Sequence, residues 1–224
     1  MKKLIHRKYG FSILLEENQI YEIVIENPTV LVEIVRDLLV QAQGQEGEFV
    51  LSQENNILPI EKNLAFIQDP FTLDVNQRKI LTKLYSQINE YVNDILGQER
   101  TDFLQTYNQY MDKICEKSDL FLVYEEEPEF QEILKLGKMR IDVQADNIIN
   151  SIVEYIKVCK ELLHQEIFVF LNLKMFLAKE ELEALYQECF QRKVHLLLIE
   201  AILQERIEGE KICIIDKDKC ILYF

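Results

Sequence analysis

Residues 167–200 read IFVFLNLKMFLAKEELEALYQECFQRKVHLLLIE. Two short apolar runs, Ile167 to Leu171 and Val194 to Ile199, enclose a segment from Lys179 to Arg192 that reads as a helix. Apolar runs of five or six residues suit strands buried on both faces, and a helix between two of them makes a βαβ unit with parallel strands. The helix opens with Glu180, Glu181 and Glu183 and closes on Arg192 and Lys193, which complements the helix dipole at both ends. Upstream, the alternation continues as a strand from Arg140 to Val143 and a helix from Asn147 to His164. The fold class is therefore α/β, a largely parallel sheet with flanking helices.

Towards the start of the chain, Phe11 to Leu15 and Ile20 to Ile25 are strand-like, with the turn-prone Glu16-Glu-Asn-Gln19 between them, and read as a hairpin or meander. Asn27 followed by Pro28 is a cap with a first-turn proline, and Val30, Leu31, Ile34, Val35, Leu38 and Leu39 repeat at helical spacing to about Gln43. Strands follow at Glu48 to Ser52 and Leu64 to Gln68, before a turn at Asp69-Pro70. At the far end, Ile212 to Ile215 and Cys220 to Phe224 form a hairpin about Asp216-Lys-Asp-Lys219.

The middle is helical. Ile80, Leu84, Ile88, Val92 and Ile95 lie on one apolar stripe, and after Gly97 a second runs through Leu104, Tyr107, Met111 and Ile114, the pattern of two antiparallel helices. A short apolar piece, Leu120 to Tyr124, precedes Glu125-Glu-Glu-Pro128 and a short helix from Phe130 ending at Gly137. Residues 1–75 and 140–224 thus read as an α/β head, with 76–139 as a helical leg inserted in it.

The 224 residues are 48% hydrophobic and 29% charged, enough for a substantial core, and no apolar run reaches the roughly 20 residues of a membrane span. A cytoplasmic protein is expected, with no membrane partner. Cys115, Cys159, Cys189, Cys213 and Cys220 are odd in number and widely spaced, which suits reduced core thiols better than a disulfide framework or zinc pair. The net charge of −14 argues, by itself, against nucleic acid. What a duplex meets, however, is the local surface.

A parallel α/β body invites a test for nucleotide binding. The GxxxxGK[ST] phosphate loop is absent, and the corresponding turn reads Glu26-Asn27-Pro28-Thr29, with no glycine, no lysine and an added negative charge. Val194 to Glu200 resembles a Walker B strand, but without a phosphate loop it reads as a buried strand ending in a solvated acid. No bound nucleotide is expected. The three histidines show no ligand spacing: His195 reads as a core imidazole in a strand, His6 and His164 as surface residues. Nothing in the chain forms a catalytic centre, and binding is expected in place of chemistry.

Two groups of residues stand out. Glu116, Asp119, Glu125, Glu126 and Glu129, with Glu127 and Glu132, crowd a short span whose oxygen-only donors suit calcium; the alternative is a solvated acidic loop, since the spacing fits no EF-hand. The candidate phosphate contacts are Lys79 and Lys83, one turn apart, Lys138 and Arg140, Lys157 and Lys160, and Lys174. Each pair alone is an ordinary solvated face, but a ring of subunits would repeat it around one duplex.

The chain resembles the Csn family of ring proteins from type II-A CRISPR-Cas systems. The likeness runs through Leu15-Glu-Glu-Asn-Gln-Ile-Tyr-Glu-Ile-Val-Ile-Glu26, Phe71-Thr-Leu-Asp-Val-Asn76, Leu122-Val-Tyr-Glu-Glu126, Glu132-Ile-Leu-Lys-Leu-Gly137, Ile167-Phe-Val-Phe-Leu-Asn172, Phe176-Leu-Ala-Lys-Glu-Glu181 and Val194 to Glu200. It departs at Asn172-Leu-Lys-Met175 and after Glu200. The resemblance implies a homotetrameric ring that encircles double-stranded DNA, binds it through its ends without sequence preference, holds calcium, and serves spacer acquisition beside the CRISPR integrase complex and the effector nuclease. It also implies a head related to P-loop ATPases but without ATP binding. The family's acidic positions carry over best to Glu125 and Glu126, less securely to Asp119. Two other functions stay open: a metal-dependent nuclease using the carboxylates from Asp119 to Glu132, and a protein-only adaptor.

Overall fold

The computed structural model describes residues 1–54 and 56–224, and the chain divides into two compact units, residues 1–75 with 143–224 and residues 76–142. The first unit contains two sheets. The larger has six strands in the order β10-β9-β3-β8-β7-β6, namely Ile221–Tyr223, Glu210–Ile215, Ile20–Ile25, His195–Glu200, Ile167–Leu171 and Leu64–Ile67. All neighbours are parallel except β10, an antiparallel edge strand. The α/β reading with a mostly parallel sheet is what the structure shows.

Both faces of this sheet are covered, which is why its strands read as unbroken apolar runs. On one face Tyr21, Ile23, Leu197 and Ile199 cluster with Val30, Ile34 and Leu38 of α1 (Pro28–Ala42) and with Leu4 and Phe11. Alternation sends Phe168, Phe170, Leu196 and Leu198 to the opposite face, all with no exposed surface. Helices α6 (Ile148–Leu163) and α7 (Lys179–Gln191) contribute the buried Ile152, Ile156, Leu185 and Tyr186.

The smaller sheet corrects the reading of the chain's start. Its order is β2-β1-β4-β5, that is Ser12–Leu15, Lys2–His6, Phe49–Gln53 and Asn56–Leu58, antiparallel throughout. β2 and β3 are not a hairpin, because β2 pairs with β1, while β3 is buried along its whole length between β8 and β9. Strand β1 was hidden in the sequence by its two lysines and its histidine. His6 is likewise a core residue: it has no exposed surface, Nε2 lies 3.1 Å from Asp37 Oδ2, Nδ1 accepts the Tyr9 N–H, and the ring packs edge-on to Phe49. Burial lowers its pKa, so the imidazole is neutral. Burial also pushes the thiols of Cys189 and Cys213 up to about 12 and about 11.

In the second unit α3 (Arg78–Ile95) and α4 (Gly97–Glu116) meet at Leu96, and α5 (Phe130–Leu136) packs on α3. Ile80, Tyr85, Val92 and Leu134 are buried, whereas among its described residues α4 buries none. Arg140 to Val143, expected as a strand, is not one. Ile141 pairs with a side chain instead, donating its N–H to Asn76 Oδ1 (2.8 Å) while its carbonyl accepts from Asn76 Nδ2 (3.0 Å). Among the described residues no helix is long and apolar enough to cross a membrane.

One buried amide fastens the two layers of the first unit. Gln41, at the end of α1, donates from Nε2 to the carbonyl of Phe49 and accepts its N–H at Oε1, both at 2.8 Å. Replacing it by alanine leaves a buried donor and acceptor unpaired, at about 1–3 kcal/mol each. Denaturant unfolding of Gln41→Ala should therefore show a loss of about 2–6 kcal/mol; a loss below about 2 would mean that water replaces the amide.

Candidate functional site

The turn after β3 sits where a phosphate loop would act, and it is closed by its own cap. The Asn27 side chain accepts the N–H groups of Thr29 (3.1 Å) and Val30 (3.2 Å), and the Leu31 N–H goes to the Asn27 carbonyl (3.0 Å). Pro28 has no N–H to offer. The helix start therefore keeps no first-turn amide for an anion, the feature on which phosphate binding at such a position depends. Asn27 Nδ2 donates in turn to the Lys217 carbonyl, which locks the cap in place.

The first unit also holds a buried polar cluster. The Lys174 ammonium reaches Glu22 Oε2 at 2.7 Å and Glu210 Oε1 at 2.9 Å, with only 1% of its side chain exposed. Glu210 also accepts from Tyr186 OH (2.5 Å) and the Ile207 N–H (2.8 Å), and Glu200 accepts the Lys174 N–H at 3.1 Å. This corrects two expectations. Lys174 cannot contact DNA, because Asn172 in the left-handed region (φ 53°) turns the chain into a 3-10 turn over Leu173–Met175, and Lys174 lies buried among carboxylates. Glu200 is not a solvated acid: it is 1% exposed, and burial pushes its carboxyl up to about 7. Burial raises Glu22 too, outweighing its bond to Lys174, and Glu22 Oε1 has no hydrogen-bond partner. Burial acts to lower the Lys174 pKa, but the bonds to Glu22 and Glu210 prevail and raise it. The sequence held one signal for this cluster: single charged residues at Glu22 and Lys174 within apolar runs.

The acidic span lies in the second unit. Glu116 ends α4, and Asp119, Glu125, Glu126 and Glu129 are exposed on a segment without regular structure. The apolar piece Leu120 to Tyr124 forms no strand, and Phe121 and Val123 are almost fully exposed. Tyr124 moors the segment to α4: its hydroxyl donates to Asp112 Oδ1 at 2.7 Å, and the ring packs edge-on to Tyr107. The bond to Asp112 pushes the phenol up to about 12. Among the described residues no three His, Cys, Asp or Glu side chains converge as metal ligands.

Four of the expected phosphate contacts share one seam. The paired bonds between Asn76 and Ile141, and a 2.7 Å bond from Tyr85 OH to the Met139 carbonyl, lay residues 139–141 along the first turns of α3. Lys79 and Lys83 on α3 and Lys138 and Arg140 beside it are exposed there, as are Arg78 and Lys135, which the sequence did not single out. Lys157 and Lys160 belong to the first unit: Lys157 lies 3.4 Å from Glu154, and Lys160 donates to the Arg192 carbonyl.

Fold and site together define an α/β protein on a mostly parallel sheet whose turn after β3 is capped from within. The chain belongs to the CRISPR-associated protein family Cas_Csn2, whose sequence model matches residues 41–219. Among solved structures it is similar to a nucleotide-free ATP-binding cassette from an ABC transporter, at 13% identity over 96% of this chain and 87% of that one, with a TM-score of 0.44. A putative ABC transporter ATP-binding protein from Pyrococcus furiosus matches at 10% identity over 95% and 97%, with a TM-score of 0.43.

Removing the ammonium leaves the buried Glu22 and Glu210 without their cation. Lys174→Met should lower stability by about 3–5 kcal/mol in denaturant unfolding, the cost of a broken buried ion pair, while Lys157→Met should change it by under 1. Equal effects would show that Lys174 is not buried in solution.

Proposed function

We propose that the chain serves CRISPR spacer acquisition as a ring-forming protein that binds double-stranded DNA through its ends, without sequence preference and without catalysis of its own. The observation that carries this reading is the seam of exposed cations, Lys79, Lys83, Lys138 and Arg140, gathered on one small unit of a protein with net charge −14. Phosphate contact is a local matter, and four cations repeated in each copy of a ring would multiply a modest patch. Membership of a CRISPR-associated family supports the setting, with the integrase complex and the effector nuclease as expected partners.

Assembly of four copies is supported by uncovered apolar surface in the second unit. Phe103, Tyr110 and Ile114 of α4 are exposed, and so are Leu120, Phe121, Leu122 and Val123. Patches of this kind mark protein interfaces. Calcium fits the same region chemically. The carboxylates of Glu116, Asp119, Glu125, Glu126 and Glu129 are oxygen donors on an irregular segment whose backbone carbonyls could complete six to eight ligands. Bound ions would offset like charge between copies.

Two measurements test the reading. Light scattering should give a four-copy mass in calcium and a smaller one after chelation; a monomer in both would overturn it. In mobility shifts, linear DNA should bind and covalently closed circles should not. Log affinity should fall linearly with log salt, and Lys138→Ala should flatten that slope by roughly one per lost contact. Equal binding to circles, or cutting of DNA in magnesium or manganese that Glu126→Gln abolishes, would replace the proposal with another.

A further inference from the structure

Residues 201–209 join β8 to β9 as a strap without regular structure. It leaves Ile202 71% exposed and buries Ile207 to 3%. Its other fastenings are polar, and several end on the buried cluster. The Glu205 carbonyl accepts from Lys174 Nζ (3.3 Å), the Ile207 N–H donates to Glu210 Oε2, and Arg206 donates to the Glu210 carbonyl (3.0 Å). At its start the Ala201 N–H donates to Asn172 Oδ1, and on its outer side Glu205 pairs with Lys179 at 2.6 Å.

Two open pockets flank the strap. A cavity of about 160 Å³ lies against Lys174, Lys179, Gln204, Glu205 and Ile207, room for several waters at about 30 Å³ each. Ile207 lines a second of about 630 Å³ with Tyr186, Phe190 and Gly209. Both pockets border Ile207, the strap's one buried side chain.

Charge counting makes this arrangement sensitive to protons. Three buried carboxylates, Glu22 on β3, Glu200 on β8 and Glu210 on β9, face one ammonium, Lys174, and one phenol, Tyr186 of α7. If Glu22 and Glu210 are both ionised, one negative charge is in excess while Glu200 is protonated and two once it ionises, and Glu22 Oε1 already lacks a partner. Buried charge in excess is costly, and admitting water relieves it.

We propose that residues 201–209 form a proton-gated strap, closed while Glu200 carries its proton and opening on Ile207 when Glu200 ionises. The direction follows from linkage. A carboxyl held near 7 in the closed form and at its ordinary value of 4.5 once hydrated favours closure at low pH, and that preference is lost as pH rises from 4.5 through about 7.

Amide hydrogen exchange on the full chain tests this. After correction for intrinsic exchange, the opening constant for the Ala201 and Ile207 amides should rise about tenfold between pH 6 and 8, while amides within β7 stay level. Glu200→Gln, which keeps an acceptor for the Lys174 N–H, should abolish the rise. A level response in the unaltered protein would overturn the strap, and so would an undiminished rise in Glu200→Gln. Should that variant not fold, carbon-13 titration of glutamate-labelled protein decides: a carboxyl titrating near 7 supports the gate, and none above 6 rejects it.

Discussion

The ammonium of Lys174 is the point on which the first unit balances. A sheet covered on both faces offers its side chains no solvent, yet three of its strands carry a glutamate inward. Burying a carboxylate is affordable only beside an opposite charge and hydrogen-bond donors. Lys174 brings the charge, while Tyr186, the Ile207 amide and the Lys174 amide bring the donors. The 3-10 turn after β7, the approach of α7 and the path of the β8–β9 connection all converge on this group. Its position therefore fixes how the elements at this end of the sheet meet.

The opposite face depends on hydrogen bonds that replace regular pairing. Asn27 closes the start of α1, Gln41 closes its end against β4, and His6 ties β1 to the same helix through Asp37. In each case a side-chain amide or imidazole takes over backbone groups or charge that would otherwise be stranded. The capped turn at Asn27 also bears on function. A helix start in an α/β sheet attracts anions through free amides, and here those amides are used within the chain. Whatever this protein binds, that turn has little to give a phosphate.

What the sequence could reveal followed from periodicity. α7 and β8 were legible because a helix with charged ends and a wholly apolar strand have few other readings, and α1 because Asn-Pro marks a helix start. β1 was not, since Lys2, Lys3 and His6 look exposed until Lys2 meets Glu166 and His6 meets Asp37 across the fold. The supposed hairpin of β2 and β3 failed for a related reason: local turn chemistry cannot show that a distant strand competes for the same edge. Lys174 misled most. A lysine in a turn is ordinarily solvated, and only the inward glutamates of three strands, remote in sequence, make burial the better state. In the second unit the helices were plain, but Arg140 to Val143 had strand composition without a strand to pair with, and Asn76 took its place.

The second unit carries the tension between charge and proposed partner. Lys79, Lys83, Lys138 and Arg140 lie where residues 139–141 run beside α3, whereas Asp119 and Glu125 to Glu129 lie on the irregular segment after α4. On the proposed reading, what a duplex meets is the local group of cations, because charges beyond about 10 Å are largely screened at moderate salt. The same segment exposes Leu120 to Val123 between Asp119 and Glu125, so apolar surface that favours association is bracketed by like charge that opposes it. On the proposed reading such a surface stays apart until the charge is neutralised. A divalent cation would do so without covering the apolar side chains, which makes ion binding and assembly, on the proposed reading, two parts of one equilibrium.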